Sequence, residues 1–217
     1  MQQQVILILI GWFMGTLSTV GYELYKRYLD GKNLKTAILS ELKELLPRLV
    51  FTYYVLIGKT GEYNKENLQW IYDNLSSFKD KSKAYKIESI KEKIGKLLER
   101  NDILINSVID SEAAKTEVEH IKSITLSFNK ESTENFSLLS EELRLIIFDV
   151  RTKVNIMNEL ADRINFFFKQ AFVPGMSDKN YEIIVNNIVS NYKVYLMQSK
   201  IVVERIKEIF ELEKDKK

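Results

Sequence analysis

The sequence predicts an all-α chain: a single N-terminal transmembrane helix followed by an antiparallel bundle of long, coiled-coil-like helices. Three observations carry that expectation. The first is an uncharged apolar run, Val5 to Tyr22. The second is the scarcity of chain breakers, with 8 Gly and 2 Pro in 217 residues and none of either between Gly95 and Pro174. A β-rich fold needs tight turns, and tight turns need those residues. The third is apolar spacing in steps of three and four along most of the remaining chain, the period of a helix face.

The apolar run is read as an anchor. Its eighteen residues at ~1.5 Å rise reach about 27 Å, close to the hydrocarbon thickness of a bilayer. A cleaved signal peptide fits less well, because Met1-Gln2-Gln3-Gln4 lacks a basic side chain and Thr19-Val20-Gly21 is a poor cleavage site. Lys26, Arg27, Lys32 and Lys35 follow the run and no basic residue precedes it. The positive-inside rule then predicts a single-pass cell-membrane protein with its C-terminal domain in the cytoplasm. Tyr22, Tyr25, Lys26 and Arg27 are the expected interface anchors, aromatic rings and cations being suited to the headgroup layer. Gly11 and Gly15, extended by Thr19, place small residues on one face at four-residue intervals, the spacing that lets two helices pack closely in a membrane or a dimer.

Four segments follow: 1–29 as anchor and juxtamembrane helix, 30–62 as a kinked membrane-proximal helix, 63–213 as the helical bundle, and 214–217 as a charged tail. Asp30-Gly31-Lys32-Asn33 is expected to break the chain after the anchor. The next helix carries Leu34, Ile38, Leu42, Leu45, Leu46 and Leu49, with Pro47 expected to kink it by removing a backbone donor. The apolar stretch Leu49 to Ile57 is too short to span a bilayer and is expected to be buried or to lie on a membrane surface. Asn64 is placed to cap a short helix from Lys65 to about Phe78. A heptad then begins with Ile87, Ile90, Ile94 and Leu97, passes a polar seam residue at Asn101, and resumes at Val118, Ile121 and Phe128. After a polar reversal at 129–135, one helix carries Leu143, Ile146, Val150, Val154, Met157, Ala161 and Ile164 to a stop at Pro174-Gly175. The last, capped by Ser177 or Asp178, has the seam Tyr181, Val185, Ile188, Tyr192, Tyr195, Ser199, Val202, Ile206 and Ile209. The expected product is three helices near forty residues each, packed antiparallel.

Composition narrows function by exclusion. With 32 basic and 30 acidic side chains the formal net charge is +2, which gives little basis for neutralising nucleic-acid phosphates. Without cysteine there is no disulfide, thiolate metal site, S-palmitoylation or lipoprotein anchor. Gly58-Lys59-Thr60 is not a phosphate loop, because Tyr53 stands where that motif needs its first glycine. His120 is the sole histidine. Glu117-Val118-Glu119-His120 therefore cannot supply a di-iron site, which takes the Glu-x-x-His motif from two helices. Glu141-Glu142 reads as a solvated face. No catalytic, cofactor or metal site is expected.

Among the aromatic clusters, Phe167 and Phe172 are the candidate exposed patch for a partner or the bilayer surface. The expectation is a membrane-anchored, non-enzymatic helical interaction module: an adaptor, scaffold or regulatory subunit. Its partners would be the lipid bilayer and another protein or a second copy of itself. The alternative is a small membrane-active effector, a pore or toxin component, in which Leu49 to Ile57 enters the bilayer in a second state.

Overall fold

A computed structural model describes residues 2–77, 87–99, 121–130 and 133–214, with the side chains of 2–11, 129–130 and 133–134 outside it. Among these residues the fold is all-α. Five helices have twelve or more residues: α1 Gln2–Thr60, α2 Lys65–Ser76, α3 Ile87–Leu98, α4 Glu141–Ala171 and α5 Asp178–Lys214. A 3₁₀ turn at Ser127–Lys130 and a single turn at Thr133–Phe136 lead into α4.

The helical ends follow from local chemistry. Gly61, with φ of 69°, takes the left-handed conformation that ends α1. Asn64 caps α2 by accepting a hydrogen bond from the Asn67 N–H at 2.8 Å. Gly175, with φ of 81°, turns the chain after α4, and the Ser177 hydroxyl accepts the Asn180 N–H at the start of α5.

α5 is the central helix. It packs along α4 and along the C-terminal half of α1. Asp149, early in α4, meets Arg205, late in α5, at 2.9 Å, so this pair is antiparallel. Lys35 pairs with Glu213 and Glu62 with Lys193, which sets α1 antiparallel to α5 as well. From Ile188 to Ile209 the expected α5 seam is buried at every position, with Leu196, Gln198 and Val203 added to it. α2 leans on α1, and α3 on α2 through Ile87, Ile90 and Ile94.

Three expectations are corrected. Among the described residues no helix is long and apolar enough to cross a membrane. The apolar run lies within α1, with the side chains before Trp12 outside the described ones. It continues without a break into charged turns and then into the core. The single-pass transmembrane helix, the cell-membrane location and the cytoplasmic orientation built on it therefore do not stand.

Asp30-Gly31-Lys32-Asn33 does not break the chain either, since α1 runs straight through it and through Pro47. Gly31 serves packing: it is buried, and a Cβ there would lie 3.2 Å from both the Cβ and the carbonyl oxygen of Leu138. The Leu49 to Ile57 stretch takes the buried one of its two expected placements, with Leu49, Val50, Tyr53, Leu56 and Ile57 in the core.

The third correction concerns the resumed heptad. Ile121 and Phe128 do not belong to an α-helix: residues 121–126 have no regular secondary structure, and Phe128 lies in the 3₁₀ turn. This strap lies between α1 and α4. Asn158 of α4 accepts the Ile124 N–H at 2.7 Å and donates to the Ile124 carbonyl at 2.8 Å, and Asn165 donates to the Ile121 carbonyl at 3.1 Å. From the α1 side, Glu41 accepts the Ser127 N–H and hydroxyl, and Arg48 reaches the Ser123 carbonyl at 3.5 Å. The seven residues from Asn158 to Asn165 cover ~10.5 Å of helix. Three strap residues match that distance only when extended, at ~3.4 Å each. Ile121, Ile124, Leu126 and Phe128 are buried, so the strap supplies core where two helices stand apart.

Candidate interaction surface

The core begins at Gly31 and Ile38, which leaves the first half of α1 as an arm. Along it Trp12, Phe13, Met14, Leu17, Tyr22, Leu24, Tyr25 and Tyr28 are all more than half exposed. Single exposed apolar residues are ordinary, but a continuous run makes the arm a candidate contact surface. Gly15 and Thr19 lie on this arm, and a Cβ at Gly15 would meet nothing within 4 Å. The Thr19 hydroxyl donates to the Gly15 carbonyl at 3.0 Å, so its polarity is satisfied within the helix. The side chain position at Gly11 lies outside the described residues. Tyr22, Tyr25, Lys26 and Arg27 are exposed on the same arm.

A second apolar surface surrounds the α4–α5 turn. Phe172 is 70% exposed, and Phe166, Val173, Tyr181 and Ile183 are exposed beside it. Phe167, expected to share the patch, is half-buried and packs against the core with its ring 5.6 Å from Phe166. Phe168 holds Phe172 edge-on at 4.9 Å. A shallow cavity of about 370 Å³ opens next to it, lined by Val173, Pro174, Met176, Ile183 and Ile184 among others.

A larger cleft, about 580 Å³, lies where α1, the strap and α5 meet. Phe51 and Val55 are its half-buried apolar lining, over the buried Leu49, Leu56, Ile121 and Ile124; Thr52 and Tyr195 add hydroxyl-bearing side chains, and Arg48 and Lys122 are its charged lining residues. Burial pushes the Tyr195 phenol up to about 12, against a smaller lowering from the Arg48 charge. The sequence alone does not single out this cleft, because the strap that walls it has the spacing of a helix.

Between α1, α2 and α5 sits a polar knot that periodicity also hides. The buried Asn67 carbonyl accepts from the Tyr53 hydroxyl and from Lys200 Nζ, both at 2.8 Å, while its amide donates to the Glu62 carbonyl. The Lys200 ammonium lies 5.4 Å from the Tyr53 ring centroid and 5.6 Å from that of Trp70, within cation–π range. Trp70 donates in turn to Glu204 at 3.2 Å. Desolvation raises the Tyr53 phenol further, helped by the charges of Glu62 and Glu66. Each of these donors meets an acceptor, the arrangement of a structural clasp.

Among the described residues there is no group of three His, Cys, Asp or Glu side chains placed to hold a metal. His120, Glu117 and Glu119 lie outside those residues. Glu141 and Glu142 are exposed in the first turn of α4, where carboxylates suit the positive end of the helix dipole. Comparison with protein-family models, with curated proteins and with solved structures finds no match.

Proposed function

We propose that this chain is a non-enzymatic helical interaction module, an adaptor, scaffold or regulatory subunit, that assembles through its α1 arm. The observation that carries the reading is the arm itself, which leaves Trp12 to Tyr28 outside the core with large apolar side chains exposed around it. Leaving such a surface in water costs about 25 cal/mol for each Å² of apolar area that could be covered. The occupant is the arm of a second copy. Gly15 and Thr19 lie on one face of the arm with open space above Gly15, and the bulky Trp12 and Tyr22 are exposed within one or two turns of them. A face of that kind is self-complementary, as the symmetric contact of a dimer requires. The α4–α5 tip with Phe172 is then the surface left for a different protein.

The test is the molar mass of the purified full chain by light scattering. A dimer or larger assembly is expected, and the double variant Gly15→Leu, Thr19→Leu should weaken it at least tenfold while circular dichroism stays unchanged. A monomer at micromolar concentration, or an assembly indifferent to that variant, would overturn the reading.

A further inference from the structure

We infer that the arm binds an amphipathic helix of a different protein, on the face opposite Gly15 and Thr19 and antiparallel to α1. α1 is one unbroken helix from Gln2 to Thr60, so every arm residue has a fixed rotational relation to the core. At about 100° per residue, Phe13, Leu17, Val20, Leu24 and Tyr28 fall within about 80° of the helix circumference. All five are exposed. Gly31, Ile38, Leu42, Leu45 and Leu49, the buried side of α1, fall on that same side with the same period. The apolar seam of the arm is therefore the core seam continued. Gly15 and Thr19 lie about 160° around the helix from it, so a pairing of two arms through them leaves the seam open.

The cover of this seam inside the bundle specifies what fits it outside. α5 lies antiparallel along α1 and packs its own buried seam there. It ends at Lys214, with Glu213 paired to Lys35. Beyond that level the seam runs on, with its side chains open to solvent among the described residues. A helix in line with α5 buries Phe13 to Tyr28 as α5 helps to bury Ile38 to Leu49. Its N-terminus then meets the C-terminal end of α5, the positive end of one helix dipole facing the negative end of the other. Charge adds a further condition. Glu23, Lys26 and Asp30 lie on the other side of α1, whereas Arg27 borders the seam. Inside the bundle Lys35 falls on the seam and is matched by Glu213 of α5. The partner helix matches Arg27 in the same way, with a carboxylate beside its apolar positions.

The test uses the full chain and, as probe, a fluorescent synthetic peptide copying Ile188–Ile209, the stretch of α5 that carries the buried seam. Saturable binding at micromolar concentration is expected, read by anisotropy, with a gain in helical circular dichroism. Leu17→Asp with Leu24→Asp should weaken it at least tenfold and leave the mass of the chain's own assembly unchanged. Gly15→Leu with Thr19→Leu should do the reverse, so a failure of arm pairing and a failure of this site are told apart. The chain has no cysteine, which makes orientation readable as well. A cysteine at the N-terminus of the peptide should form a disulfide with Tyr28→Cys and not with Phe13→Cys. No saturable binding, an affinity unchanged by the seam variant, or crosslinking to Phe13→Cys instead would each overturn the inference.

Discussion

The primary amide of Asn158 closes both main-chain hydrogen bonds of Ile124, donor and acceptor, as a neighbouring β-strand would. Removing it leaves two partly buried backbone groups to find water or remain unpaired. Asn158→Ala is expected to lower stability by about 1–3 kcal/mol, read as a shift in the urea midpoint with an unchanged slope. Tyr195 carries a prediction of a different kind. Its folded-state pKa stands near 12, above the unfolded value of 10, so the folded state favours the neutral phenol. The resulting stabilisation is full below pH 10 and is lost as pH rises from 10 toward 12. Denaturant midpoints at pH 8 and pH 11 should therefore diverge. Tyr195→Phe should narrow the gap, with Tyr53, shifted in the same direction, supplying much of what remains.

Two elements show what periodicity can and cannot reveal. The α5 seam is legible because a long helix packed on both sides must repeat its apolar positions at the helical period, and every position from Ile188 to Ile209 obeys. The caps at Asn64 and Ser177 are legible because side-chain oxygens there have few other uses. The strap is not, although Ile124-Thr125-Leu126-Ser127-Phe128 alternates apolar and polar at the period of an extended chain. Ile121 and Phe128 also satisfy a heptad step, and nothing local says that Asn158 and Asn165, more than thirty residues on, are waiting for backbone partners. The Asn67 and Lys200 knot is illegible for the same reason: its members come from three helices.

Gly31 is the instructive case within α1. A glycine beside Asp30 and Asn33 reads as a break, yet the helix continues and the missing side chain makes room for Leu138. Gly31→Leu is expected to destabilise by about 1–3 kcal/mol, because the Leu138 backbone stands where the new side chain must go. Gly15→Ala, with open space around it, should instead be neutral or stabilise α1 by up to about 1 kcal/mol. Comparing the two midpoints in thermal unfolding tests whether α1 is anchored at that crossing.

On the scale of the whole molecule, the chain divides its labour between a core that begins at Gly31 and an arm that precedes it. The arm's apolar character is legible from composition, whereas its continuity with the core helix is not, since Asp30 to Asn33 looks like punctuation. Twenty-eight residues from Gln2 to Leu29 at ~1.5 Å each make the arm a spacer of about 42 Å. Paired arms would then act as a ruler. Aligned in parallel, they would hold two α4–α5 tips side by side at matching heights, ready to grip one target twice. Aligned antiparallel, they would set the two bundles at opposite ends of a rod and allow one assembly to bridge two distant targets. The choice between clamp and bridge rests on a single helix–helix register.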